Sequence, residues 1–158
     1  MRILDIINVL ETVAPPSLQE SYDNSGLLIG DHSVICTGIM VSLDATQQVI
    51  EEAARRNCNL VVAHHPIIFS GMKKIGTGDY VGRAVTTAII KGVAVYAMHT
   101  NLDNIIHGVN GRMAEIVTAR NILNYLKHLS FFVSFLLCVA PVIHAQVPTQ
   151  VDQKADYM

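Results

Sequence analysis

The chain has 158 residues, 51% of them apolar and 15% charged, with a formal net charge of −2. That length suffices for one domain with a true core, and the absence of a basic excess argues against nucleic acid as a partner. Charged residues fall below the roughly 25% usual for soluble domains, and the shortfall is local, since residues 129–145 contain no Asp, Glu, Lys or Arg.

Ile3, Leu4, Ile6, Ile7, Leu10 and Val13 recur at helical spacing, which predicts an amphipathic helix over residues 2–13. Ala14-Pro15-Pro16 ends it, because proline lacks the N–H that the ladder needs. A polar, turn-prone stretch leads to a short strand over 26–30, and a second strand, rich in Val and Ile, is expected over 34–43. Asp44 is read as the N-cap of the next helix, with Gln47 as its capping-box partner. That helix runs to about Arg56, and a strand over 60–63 follows it into His64-His65-Pro66. A glycine-containing loop then reaches Asp79, the expected N-cap of a helix over 80–91 that Gly92 closes. A strand over 93–98, the loop His99 to Asp103 and a helix over about 109–117 complete the pattern. Strands and helices alternating with short connections predict an α/β fold with a mostly parallel sheet and flanking helices.

Two strands stop at potential metal ligands. In open α/β sheets ligands bind beyond the carboxyl ends of strands, where loops are free to carry chemistry. Pro66 biases His65 away from helical geometry, so His64 and His65 splay at a strand end and suit two neighbouring ions. Two-metal hydrolytic sites also need carboxylates, and Asp103 is the natural one; His99, four residues earlier, is a further ligand or an outer donor. The competing reading of each histidine is a hydrogen-bonded structural residue. His32, His107, His128 and His144 lack a comparable setting and read as incidental. Lys73 and Lys74 meet either solvent or a phosphate, and Tyr22-Asp23-Asn24 either approaches the site or only shapes a turn. Cys36, Cys58 and Cys138 are isolated, as expected of plain thiols in a reducing compartment. Asp5, Asn8 and Glu11 interrupt the first apolar residues, so no secretory signal is expected there and the first 120 residues are expected to be cytoplasmic.

Three segments, Ala14-Pro15-Pro16-Ser17-Leu18-Gln19-Glu20-Ser21-Tyr22-Asp23-Asn24-Ser25-Gly26-Leu27, Ala63-His64-His65-Pro66 and His99-Thr100-Asn101-Leu102-Asp103-Asn104, closely resemble the start of the GTP cyclohydrolase 1 type 2 family. The resemblance covers about residues 1–120. It implies an α/β fold, a homohexamer, two divalent metal ions facing a cavity, and a metal-dependent hydrolase acting on a nucleotide or other small molecule. Within the family pattern, the His-His pair and the Asp of the third motif are metal ligands, which maps onto His64, His65 and Asp103. The family's remaining ligands, a His and a Glu one helical turn apart in a longer chain, have no counterpart here, since the only Glu after Asp103 is Glu115. An incomplete copy of the family fold is therefore expected, with weaker or single-metal binding and impaired catalysis. The ligand types are compatible with Zn, Mn, Fe or Mg.

Residues 121–158 do not continue that resemblance. A mildly basic start at 125–128, an apolar run over 129–143 and a polar end resemble a secretory signal peptide in an abnormal position. The expectation is a non-family tail joined from another reading frame and forming an apolar C-terminal helix. An ordinary core helix is the other reading. The run is shorter than the roughly 17–25 residues a bilayer span needs, so contact with a membrane surface is the most it suggests. Besides a metal-dependent hydrolase, a non-catalytic metal-binding or assembly module and a membrane-associated fragment remain open.

Overall fold

The computed structural model describes residues 1–144, leaving out the side chains at 125 and from 128 onward. In order, its elements are α1 (Ile3–Val13), β1 (Gly26–Ile29), β2 (Ile39–Asp44), α2 (Gln47–Arg55), β3 (Leu60–His65), α3 (Tyr80–Lys91), β4 (Ala94–Ala97), α4 (Thr100–Asp103) and α5 (Val109–His144). A single 3-10 turn, Pro16–Leu18, follows the proline pair. The chain divides into two units, Met1–Met113 and Ala114–Met158, and the sheet lies wholly in the first.

The four strands form one sheet in the order β1-β4-β3-β2. β2, β3 and β4 run parallel, whereas β1 pairs antiparallel with β4. The sheet is thus mixed rather than mostly parallel. The correction has a simple origin: β1 and β2 are joined without a helix, so no βαβ crossover dictates the direction of β1.

Side-chain alternation along β3 and β4 divides the core in two. Val61, Ala63, Val93 and Val95 pack against Ile50 and Ala53 of α2 and against Ala84, Val85 and Ala88 of α3. Leu60, Val62, Ala94 and Tyr96 face the other way, onto Ile3 and Ile7 of α1. Both central strands are buried on both faces, which accounts for their unbroken apolar runs.

The caps correct the expected reading at one point that matters for the site. Thr46, not Asp44, caps α2: its hydroxyl oxygen accepts the Val49 N–H at 3.3 Å. Asp44 is instead the last residue of β2, which frees its carboxylate for another partner. At α3 the expectation holds, with Asp79 accepting the Gly82 N–H at 2.7 Å and Gly92 closing the helix at φ 63°. The expected strand over 34–43 shrinks to Ile39–Asp44, and residues 34–38 contribute only an isolated bridge from Ile35 to Arg2.

α5 is one helix of 36 residues rather than a short helix ending near 117 followed by a separate apolar one. A distinct apolar C-terminal helix is therefore not supported, and the side chains of the apolar run over 129–143 lie outside the described residues. So does the polar end over 146–158. Among the described residues no helix is long and apolar enough to cross a membrane.

Candidate metal centre

Sheet direction decides which residues meet. Because β2, β3 and β4 are parallel, their carboxyl ends share one edge of the sheet; because β1 is antiparallel, its amino end lies there too. Gly26 pairs with Ala97, and Asp44 sits opposite His65 in register. Asp23, Asp44, His64, His65 and His99 are thereby gathered from four chain segments at one edge.

The strand expected over 60–63 does not stop before the histidines, and β3 continues through His65. Alternation nevertheless leaves the two rings close, with centroids 5.0 Å apart and planes inclined at 49°. The His99 ring stands 5.2 Å from that of His64 and 5.8 Å from that of His65. Each of the three brings a ring nitrogen within 4.8 Å of the others. Asp103, at the end of α4, adjoins this trio at His64, with Oδ1 3.7 Å from Nε2. His32 and His107 are both exposed and outside the cluster, as expected.

Each imidazole is held by its Nδ1. That of His64 lies 2.8 Å from the carbonyl oxygen of Met98, which can only accept, so Nδ1 carries the proton and Nε2 the lone pair. His65 Nδ1 lies 2.8 Å from Asp44 Oδ1, and His99 Nδ1 lies 2.8 Å from Asp23 Oδ1. A protein oxygen behind the nitrogen that faces away from the ion is how metal-binding histidines are oriented and made more basic. The donor set therefore fits a divalent ion: three imidazoles with their Nε2 atoms left available, and one carboxylate beside them.

Asp23 has a second task. Its side chain is fully buried and accepts from the Thr100 N–H at 3.0 Å, the Thr100 hydroxyl and the Ser25 hydroxyl at 2.8 Å. Burial by itself pushes this carboxyl up; the Thr100, His99 and Ser25 donors outweigh it and hold the group well below the usual carboxylate range. The rest of the third motif is locked in the same manner. Asn101 accepts the His99 N–H at 2.9 Å and donates to the Ala14 carbonyl at 2.9 Å, while Thr100 Oγ1 accepts the Glu20 N–H at 2.9 Å. The proline-containing segment and the His99–Asp103 turn are one hydrogen-bonded unit.

Of the residues singled out in the sequence, His64, His65, His99 and Asp103 do come together. Of the two readings open for Tyr22-Asp23-Asn24, Asp23 does approach the site, at His99, and Asp44 lies there too, on His65, instead of capping α2. The signal for Asp44 was its place as the residue directly opposite His65, which requires the strand register.

The fold and this edge define an α/β domain with a histidine-rich candidate metal site. The sequence profile of the family described as Duf34/NIF3 (NGG1p interacting factor 3) matches residues 1–152. The chain belongs to that family. A Clostridium acetobutylicum protein named GTP cyclohydrolase 1 type 2 homolog is 38% identical over 117 residues, which is 74% of this chain and 44% of the relative. A Staphylococcus aureus protein of the same name is 39% identical over 122 residues, 77% of this chain and 33% of the relative. Among solved structures, Staphylococcus aureus protein SA1388 superposes with a TM-score of 0.70 at 40% identity, over 73% of this chain and 33% of that one. Reduced HcgD from Methanocaldococcus jannaschii gives a TM-score of 0.67 at 28% identity, over 73% and 46% respectively. The chain thus spans less than half the length of these relatives. The family profile extends past the boundary near residue 120 that the sequence suggested, whereas these pairwise matches are 117 and 122 residues long.

Proposed function

We propose that this chain is a divalent-metal-binding domain of the metal-dependent hydrolase class, with His64, His65, His99 and Asp103 as its metal donors. The observation that carries the reading is that all three imidazoles are pinned through Nδ1 to protein oxygens while their ring nitrogens converge within 4.8 Å. Structural histidines commonly spend both nitrogens on the protein, whereas here Nδ1 of each is bonded and ring nitrogens of all three lie within 4.8 Å of one another.

A divalent ion held there would supply Lewis acidity that activates water and polarises a substrate oxygen. The chain's own residues do the rest. Asp103 places a negative charge beside His64 and offsets part of the ionic charge. Asp44 and Asp23 keep the His65 and His99 protons on Nδ1, so that Nε2 stays a donor. Asp23 also fixes the turn that presents Asp103, through Thr100. Two ions, the number the family resemblance implies, are poorly served by three imidazoles and one carboxylate. Single-metal or weak second-metal binding is the expected state of these residues by themselves. A homohexamer, a cytoplasmic location and a nucleotide or other small-molecule substrate belong to the same proposal, as does a boundary near residue 120.

Elemental analysis and metal titration of the purified chain test the reading. Wild type is expected to retain Mn²⁺ or Zn²⁺ through gel filtration, and His64→Ala to lose it along with any metal-dependent hydrolysis of nucleotides. Equal metal retention by the two proteins would overturn the assignment. A second reading, a non-catalytic metal-binding module, is favoured by one observation: of the three carboxylates at this edge, two already hold imidazole Nδ1 atoms. Metal retention without hydrolysis would select it.

A further inference from the structure

We propose that the groove beside the histidine cluster recognises phosphate, with Lys73 and Lys74 holding the phosphate group of a small-molecule substrate. This rests on the metal-hydrolase reading for what happens to the substrate, and on the groove alone for what binds.

The groove opens directly after His65 in the chain. Its volume is about 430 Å³, and Pro66, Phe69, Lys73, Lys74, Asp79 and Tyr80 are among the residues that line it. That volume falls in the range of pockets that enclose small ligands, about 300–1,000 Å³. Its wall reaches the cluster, because the half-exposed Phe69 ring meets His99 edge-on with centroids 6.3 Å apart. The groove is therefore separated from the imidazoles by the Phe69 ring alone on that side, and a ligand lying in it has the lysines within its lining.

Charge decides what kind of ligand this is. The chain as a whole is mildly acidic, with 11 Lys and Arg against 13 Asp and Glu, so two adjacent lysines lining a concavity are not part of a generally basic surface. The acid in the lining, Asp79, is already committed as the cap of α3, with Oδ1 accepting the Gly82 N–H at 2.7 Å. Lys73 and Lys74 are exposed and bring six N–H donors between them. Ammonium groups on flexible stems act as point charges for phosphate and need no fixed fork geometry. The half-buried or exposed aromatic rings of Phe69 and Tyr80 in the same groove suit a planar group attached to that phosphate.

The test compares AMP with adenosine by isothermal titration of the full-length chain, once with Mn²⁺ and once with excess EDTA. In EDTA no ion is available to ligate phosphate, so any preference for AMP reports the lysines. Wild type is expected to bind AMP more tightly than adenosine in both conditions, and less so at high salt. Lys73→Ala and Lys74→Ala should each weaken AMP binding about ten-fold while leaving adenosine unchanged. Lys73→Arg should restore most of the loss. No preference for AMP in EDTA, or an unchanged AMP affinity in the double alanine variant, overturns the proposal. Metal content measured on the same samples separates the two readings: loss of Mn²⁺ binding by wild type would remove the metal-hydrolase reading and leave the phosphate result standing.

Discussion

Asp44 and Asp23 perform the same chemical act, accepting an imidazole Nδ1 proton at 2.8 Å, in opposite environments. The Asp44 side chain is 55% exposed and that of Asp23 is 0% exposed. Truncating each to alanine should therefore cost similar metal affinity and very different stability. At Asp44, water replaces the lost carboxylate, and an exposed pair of this kind is worth about 0–1 kcal/mol. At Asp23, five donors lose their acceptor together: His99 Nδ1, the Asn24 N–H, the Thr100 N–H, the Thr100 hydroxyl and the Ser25 hydroxyl. An orphaned buried donor costs about 1–3 kcal/mol, and partial rehydration keeps the sum below full additivity, so a loss of about 3–5 kcal/mol is expected. That would be a large share of the roughly 5–15 kcal/mol available to a domain. Urea unfolding followed by circular dichroism measures the stability change, and competition against a chelating dye measures metal affinity. Both variants should bind metal about 10–100-fold more weakly, as when outer partners of metal-binding histidines are removed. Equal stability losses would refute the burial argument. Unchanged metal affinity in Asp44→Ala, with its fold intact, would refute the orienting role of the carboxylates.

Tyr96 is 1% exposed and donates to Glu11 Oε1 at 3.3 Å. Burial first, then the Glu11 charge and hydrogen bond, push its hydroxyl well above the ordinary tyrosine range. A raised folded-state value means the contribution is complete below about pH 10, the unfolded value, and is lost as pH rises further. Tyr96→Phe should flatten the alkaline limb of a stability-versus-pH curve above about pH 10, and an unaltered limb would contradict this. Gly30 has φ 105°, and a Cβ there would stand 2.7 Å from that of Ala94. Gly30→Ala is expected to lower the unfolding free energy by about 2–4 kcal/mol in chemical denaturation, from strain and overpacking together. On the edge strand β2, Ile39, Val41 and Leu43 are all exposed, with Val41 at 79%. Val41→Lys should reduce concentration-dependent light scattering without changing the circular dichroism spectrum, because a charge on an edge opposes strand-to-strand association.

The histidines were legible in sequence because each lies where an apolar run stops, and runs buried on both faces are readable without partners. β3 and β4 have that character throughout. β1 does not: four residues that are mostly half-buried say nothing about direction. Taken as parallel, β1 would carry residues 23–25 to the far edge of the sheet, so Asp23 could not be recognised as the partner of His99. Asp44 was obscured for a related reason, since a carboxylate just before a helix satisfies the local capping rule equally well. Thr46, two residues on, makes that bond instead.

Local chemistry in the chain determined α1, α2 and α3, the two central strands, and the four side chains that meet at the strand ends, because periodicity, caps and burial act over neighbouring residues. What only the folded arrangement decided was the antiparallel pairing of β1, the register that sets Asp44 opposite His65, and the groove that gathers Lys73 and Lys74 beside Phe69. Those depend on contacts between residues more than twenty positions apart or on the course of a loop over the sheet edge, and no neighbouring residue records them.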